Sequence, residues 1–153
     1  SSACIEFCAK QGLRVYLLGA KPESNRLAQE KLRGKYPNLQ IAGRDGYFGP
    51  DEEAKVVEEV RQFAPHLLLV GLGMPRQELF ISTYKQTIGA RVNMGIGGVI
   101  DIFAGTVKRA PKLFRDLHLE WFYRLASQPS RWRRQLVLPQ FVLTVLTDKN
   151  RKR

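Results

Sequence analysis

The chain is poor in the residues that most often announce a reaction. Its 153 residues include only two cysteines and two histidines. Cys4 and Cys8 stand four apart near the start with no histidine cluster beside them, and a disulfide there would join successive turns of one helix. Both read as reduced, buried thiols of a cytosolic protein rather than metal ligands or a redox pair. His66 and His118 are isolated. Also absent are a Gly-x-x-x-x-Gly-Lys-Ser/Thr phosphate loop, a full Gly-x-Gly-x-x-Gly, an Asp-x-Asp metal motif and a Gly-x-Ser-x-Gly elbow. Hydrolase, ordinary dehydrogenase and metalloenzyme readings are weak for that reason. The uncharged, largely apolar stretch 135–147 has 13 residues, with Pro139 inside; that is too short to span a bilayer.

Acidic side chains are scarce as well, 14 against 25 basic, for a net charge of +11. The deficit is local. Residues 1–100 hold 13 basic and 10 acidic side chains, a balance of +3, whereas residues 101–153 hold 12 and 4, a balance of +8. The C-terminal third therefore implies a polyanionic partner: a membrane surface, a nucleic acid or a diphosphate. Hydrophobic content of 44% and charged content of 25% describe a globular chain, and its length suits one domain with a real core.

What is present centres on residues 67–78. Leu67 to Val70 is a short unbroken apolar run, the pattern of a strand covered on both faces. Gly71 and Gly73 permit a tight turn at its end, and Pro75 suits the first position of a helix. Residues 76–88 then place Leu79, Phe80, Tyr84 and Ile88 on one face, with Arg76, Gln77 and Glu78 in the first turn. A strand, a glycine turn and a helix N-terminus in succession form either an anion-binding site or an ordinary turn with a solvated Arg-Gln-Glu.

The same rhythm runs along the chain. A helix over residues 1–11, with Cys4, Phe7 and Cys8 inward, ends at Gly12. Strands are expected near 13–18, 39–42, 67–71 and 91–96. Between them come helices over 23–36 (Leu27, Ala28, Leu32 and Tyr36 inward) and from Asp51 (Val57, Val60, Phe63 and Ala64 inward), and a short one after Gly98. Alternating strands and helices predict an α/β fold: a Rossmann-like parallel sheet flanked by helices. The domain boundary is expected between an α/β part, 1–105, which carries the candidate anion site, and a basic helical appendage, 106–153. In the appendage Leu113, Leu117, Trp121 and Leu125 recur every four residues, and Arg131-Trp132-Arg133-Arg134 follows Pro129. Its apolar run 135–147 packs on the body, pairs with another subunit as a homo-oligomer, or lies in a membrane interface. The chain opens on a bare helix leading directly into a buried strand, which suggests that something upstream has been removed.

Four strand-following loops are expected to converge: 19–22, 43–50, 71–77 and 95–101. Gly97 and Gly98 would let a ligand approach the backbone. Asp101 either accepts hydrogen bonds from a ribose or sugar hydroxyl or caps its own short helix. Tyr47 either stacks on a base or sugar or is an exposed loop aromatic.

The residues then carry a resemblance. Val70-Gly71-Leu72-Gly73-Met74-Pro75-Arg76-Gln77-Glu78 resembles the V-G-L-G-x-P-K/R-Q-E signature of the WecB/TagA/CpsF glycosyltransferases. Gly95-Ile96-Gly97-Gly98-Val99-Ile100-Asp101 with Ala104-Gly105 and Lys108-Arg109-Ala110-Pro111 is similar to a second family block. Leu119-Glu120-Trp121-Phe122-Tyr123-Arg124 is similar to a third. The resemblance covers essentially all of residues 10–140. It implies inverting transfer from a UDP-sugar to an undecaprenyl-diphosphate-linked sugar, without metal or cofactor, peripherally at the inner face of the bacterial cell membrane. Typical members move N-acetylmannosamine onto a lipid-linked N-acetylglucosamine in wall teichoic acid or surface polysaccharide assembly. By the same resemblance Gln77 and Asp101 contact the nucleotide-sugar and Tyr47 lies in a loop beside that pocket; Gly71, Gly73, Arg76, Gly97 and Gly98, at the strand ends, are expected to bind the substrate with them. Arg124, Arg131 and Arg134 lie in an appendage that meets the acceptor diphosphate and the anionic membrane.

One departure matters. Inverting transfer needs a base to deprotonate the acceptor hydroxyl, and the family's N-terminal part, which supplies the expected Asp, has no match here. The general base is expected upstream of Ser1, and the 153 residues alone are expected to be inactive. Two rivals remain. One is a basic nucleic-acid-binding module, disfavoured because the α/β body contributes only +3; the other is a non-catalytic scaffold that keeps the fold.

Overall fold

The computed structural model describes residues 2–106. The elements run α1 (Ser2–Lys10), β1 (Arg14–Gly19), α2 (Pro22–Lys35), β2 (Gln40–Arg44), α3 (Pro50–Phe63), β3 (Leu67–Gly71), α4 (Arg76–Ile88), β4 (Val92–Gly95) and α5 (Val99–Ala104). The expected α/β alternation and all four expected strands are present, with boundaries moved by one or two residues. The strands form one sheet in the order β2-β1-β3-β4, and every pair is parallel.

Period-two alternation sorts the central strands onto two cores. Val15 and Leu17 of β1, with Leu67 and Leu69 of β3, point to the side covered by α1, α2 and α5, where Ile5, Ala28, Leu32, Ile100 and Ala104 meet them. Tyr16, Leu18, Leu68 and Val70 point to the other side, against Val56, Val57, Val60, Phe80 and Ile88 of α3 and α4. Helices on both faces explain why β1 and β3 read as continuous apolar runs.

Several inward faces differ from expectation. On α1 the buried stripe is Ile5, Cys8 and Ala9, and Phe7 is 59% exposed. The helix is rotated by about one residue, which brings Ile5 rather than Phe7 onto the sheet. Cys8 is buried and Cys4 half-buried, and both are free thiols; burial, with Cys4 alongside, raises the Cys8 pKa above the ordinary thiol value. On α3, Val56 replaces Ala64 in the core, because Ala64 is the left-handed residue that ends the helix (φ 50°). On α4, Leu79 is 62% exposed while Gln77 and Phe80 face inward. Pro75 precedes that helix as its N-cap instead of occupying its first turn.

No described helix is long and apolar enough to cross a membrane. The expected helix through Leu113 to Leu125, the apolar run 135–147 and Arg124, Arg131 and Arg134 lie outside the described residues.

Candidate functional site

The sheet order fixes where a ligand belongs. From β1 the chain leaves toward β2, and from β3 it leaves in the opposite direction toward β4. The connections diverge between β1 and β3, and the crevice at their carboxyl ends is the binding position of open α/β sheets.

Backbone contacts bring all four expected loops to this crevice. The Ala20 amide donates to the Gly71 carbonyl at 3.3 Å, and the Gly46 amide donates to the Ala20 carbonyl at 2.9 Å. The Ile96 amide donates to the Val70 carbonyl at 2.8 Å. Gly71 sits where no side chain fits, since a Cβ there would lie 2.6 Å from the Gly97 carbonyl oxygen and 3.0 Å from Ile100 Cδ1. Gly73 is needed for a different reason: its φ is +79° with open space around it.

Three polar side chains tie these loops together. Asn25, 2% exposed in the first turns of α2, donates through Nδ2 to the carbonyls of Leu17, Gly19 and Arg44, joining the ends of β1 and β2. Gln29 donates to Asn25 Oδ1 at 2.7 Å and fixes its amide orientation. Gln77, 6% exposed, accepts from the Gly97 amide at 3.1 Å and donates to Glu78 Oε1 at 2.7 Å, joining the turns after β3 and β4. Arg76 donates to the carbonyls of Gly46 (3.1 Å) and Phe48 (2.7 Å), joining the turn after β3 to the loop after β2. Buried polar groups satisfied in this way fix one geometry, because an unpaired alternative is costly.

The remaining expected residues fall around the same edge. Tyr47 is 69% exposed, and its amide donates to Asp45 Oδ1 at 2.8 Å. Asp101 lies in the first turn of α5, half-buried, and no described residue hydrogen-bonds its carboxylate. Gly98 is the N-cap of α5 and Gly97 has φ +51°. At the end of β2, Arg44 Nη1 meets both carboxylate oxygens of Glu59 at 2.6 and 2.7 Å, and this pairing raises the guanidinium pKa further. Among the described residues no three His, Cys, Asp or Glu side chains are grouped to hold a metal ion.

Asn25 went unrecognised in the sequence. Its only signal is an amide side chain in the first turn after a glycine-ended strand, where backbone carbonyls of neighbouring strands terminate.

A parallel sheet with glycine turns gathered at its switch point defines a Rossmann-like α/β unit. The chain belongs to the glycosyl transferase WecG/TagA/CpsF family, which it matches over residues 2–153. It is 40% identical over 145 residues to the N-acetylglucosaminyldiphosphoundecaprenol N-acetyl-beta-D-mannosaminyltransferase of Bacillus subtilis (strain 168). That match takes in 94% of this chain and 56% of the relative, so the chain spans little more than half the relative's length. Neither likeness favours a nucleic-acid-binding module.

Proposed function

We propose that this chain forms the donor-binding part of a UDP-sugar-dependent inverting glycosyltransferase. Its donor is a UDP-sugar of the N-acetylmannosamine type, and its acceptor is a sugar linked to undecaprenyl diphosphate. The observation that carries this reading is the convergence of four strand-following loops at the β1–β3 crevice, held by Asn25, Arg76 and Gln77. The turn 71–75 and the start of α4 face the diphosphate, where oriented amides favour negative charge. Asp101 accepts from a donor hydroxyl, Gln77 holds the turn that carries Gly97 and Gly98 against the donor, and Tyr47 covers the base or sugar.

None of the described residues is proposed as the base. Deprotonation of the acceptor hydroxyl falls to a carboxylate beyond this chain's match to its relative, and the chain alone is proposed to bind donor without turning it over. No divalent ion is needed for donor binding in this scheme. The basic residues 106–153 form a second part that meets the cytoplasmic leaflet, with Arg124, Arg131 and Arg134 pairing with the acceptor diphosphate. The protein is accordingly peripheral at the inner membrane face.

Calorimetry with UDP, with and without a chelator, tests the donor site. Saturable binding that survives chelation supports the reading, and absence of UDP binding overturns it. Flotation with anionic vesicles at low and high salt tests the second part, since each basic residue near the surface contributes about 1 kcal/mol. Flotation unaffected by deleting residues 106–153 overturns that assignment.

A further inference from the structure

Arg76 opens α4 and is the one cation in its first turn, yet its guanidinium faces backbone. Nη1 and Nη2 donate to the carbonyls of Gly46 and Phe48, on either side of Tyr47. The guanidinium carbon lies 4.3 Å from the centre of the Phe48 ring. That ring is itself buried and packs edge-on against Phe80 of α4 at 6.4 Å. Arg76 and Phe80, four apart on α4, thus grip Phe48 from two sides. Tyr47, between the two gripped carbonyls, is the exposed residue.

We infer that Arg76 is a positioning residue: it latches the Gly46–Phe48 backbone to the start of α4 and so holds the Tyr47 ring over the crevice. This rests on the donor-site reading above. The contacts favour this role over that of a phosphate ligand. One N–H of each terminal nitrogen is committed to a carbonyl and one face lies on an aromatic ring, so the orientation of the guanidinium is set by the loop. The planar fork matches two carbonyls two residues apart; a lysine ammonium, a compact point charge, cannot span both in the same way. Burial of the Phe48 ring anchors one end of the loop, and the other polar contacts of its backbone are few. Gly46 donates to Ala20, Tyr47 to Asp45 and Gly49 to Glu52, and the last of these is long at 3.4 Å.

The role predicts coupling between two residues whose side chains share no hydrogen bond. In the full chain, Arg76→Lys, Arg76→Ala, Tyr47→Ala and the Arg76→Lys/Tyr47→Ala pair are compared for UDP affinity by calorimetry. Amide hydrogen exchange across residues 45–49 is followed in parallel. Each of the three single changes is expected to weaken UDP binding by about tenfold, the scale of one lost stacking or charge-assisted contact. The pair is expected to be little worse than Tyr47→Ala alone, because Arg76 acts through Tyr47. Exchange at Tyr47 and Gly49 should accelerate in Arg76→Lys while the β1 and β3 amides stay protected, which distinguishes loop release from unfolding. Effects that multiply in the pair overturn the inference and make Arg76 a direct ligand. Unchanged loop exchange in Arg76→Lys overturns it also. A wild-type chain that does not bind UDP at all fails the donor-site reading and this inference with it, whereas binding with multiplying effects fails this inference alone.

Discussion

The side-chain oxygen of Gln77 accepts the Gly97 amide at 3.1 Å, across twenty residues of sequence and between two glycine turns. Gln77 replaces an apolar residue on the inward face of α4, and Leu79 is left in solvent. The exchange makes sense only if the amide is holding backbone. Gly95 packs against the same side chain, with space for a Cβ only at 3.0 Å from Gln77 Nε2.

Gln77→Ala is expected to cost about 1–3 kcal/mol of stability, the penalty for leaving the Gly97 N–H without its partner. Gln77→Glu keeps an acceptor for Gly97 but turns the donor facing Glu78 Oε1, 2.7 Å away, into a second carboxylate oxygen. It should therefore be no less destabilising despite its closer shape. Denaturant midpoints of both variants check this; a Gln77→Glu protein as stable as wild type contradicts it.

The two glycines of the turn should respond differently to alanine. At Gly71 the added methyl meets the Gly97 carbonyl and Ile100, so backbone must move, and a cost of about 1–3 kcal/mol is expected together with weakened UDP binding. At Gly73 nothing lies within 4 Å, and the cost is only the left-handed backbone, about 1–2 kcal/mol. Thermal melts combined with UDP titration separate the two. Equal losses of binding at both positions would show that space at Gly71 is not what matters.

These residues mark what the sequence could and could not disclose. The apolar runs of β1 and β3 and the glycines closing them are local signals, and they led directly to a parallel sheet and to four loops that meet at its edge. Helix faces were less secure. On α1 the stripe Cys4, Phe7, Cys8 and the observed stripe Ile5, Cys8, Ala9 differ by a rotation of one residue, and only the sheet decides between them. Arg76 and Gln77 were singled out, but their contacts were hidden because the groups they satisfy are carbonyls and amides of loops 20 to 30 residues away. Asn25 was missed for the same reason, since its partners lie on β1 and β2.

Alkaline pH should probe the core beneath the site. Burial pushes the Tyr16 phenol up to about 12, with Glu59 adding to the rise and Arg44 opposing it. An unfolded tyrosine ionises near pH 10. Below that pH the phenol is neutral in both states and the full stability is present. Between about 10 and 12 the unfolded state loses its proton first, so stability falls, by up to roughly 2–3 kcal/mol once the pH passes the folded value. Denaturant midpoints across this range should fall more steeply in wild type than in Tyr16→Phe. Parallel slopes would mean that other groups govern alkaline unfolding.

Asp101 offers the cleanest separation of binding from folding. It sits in the first turn of α5, where an acid is favoured by the helix dipole, yet no described residue donates to its carboxylate. Its main-chain carbonyl, by contrast, closes the end of the same short helix, accepting from the amides of Gly105 and Thr106 and from Thr106 Oγ1 at 3.0 Å. Removing the side chain leaves that closure intact. Asp101→Ala should therefore cost about 0.5 kcal/mol of stability but weaken UDP-sugar binding by about 1–3 kcal/mol, the scale of a hydrogen bond to a charged acceptor. Asp101→Asn retains the shape and one acceptor, and is expected to fall between wild type and Asp101→Ala in affinity with a similar melting temperature. Thermal melts and calorimetry on the three proteins decide the matter. A melting temperature that drops while the folded fraction binds donor as before would make Asp101 a helix-capping residue and remove it from the donor site.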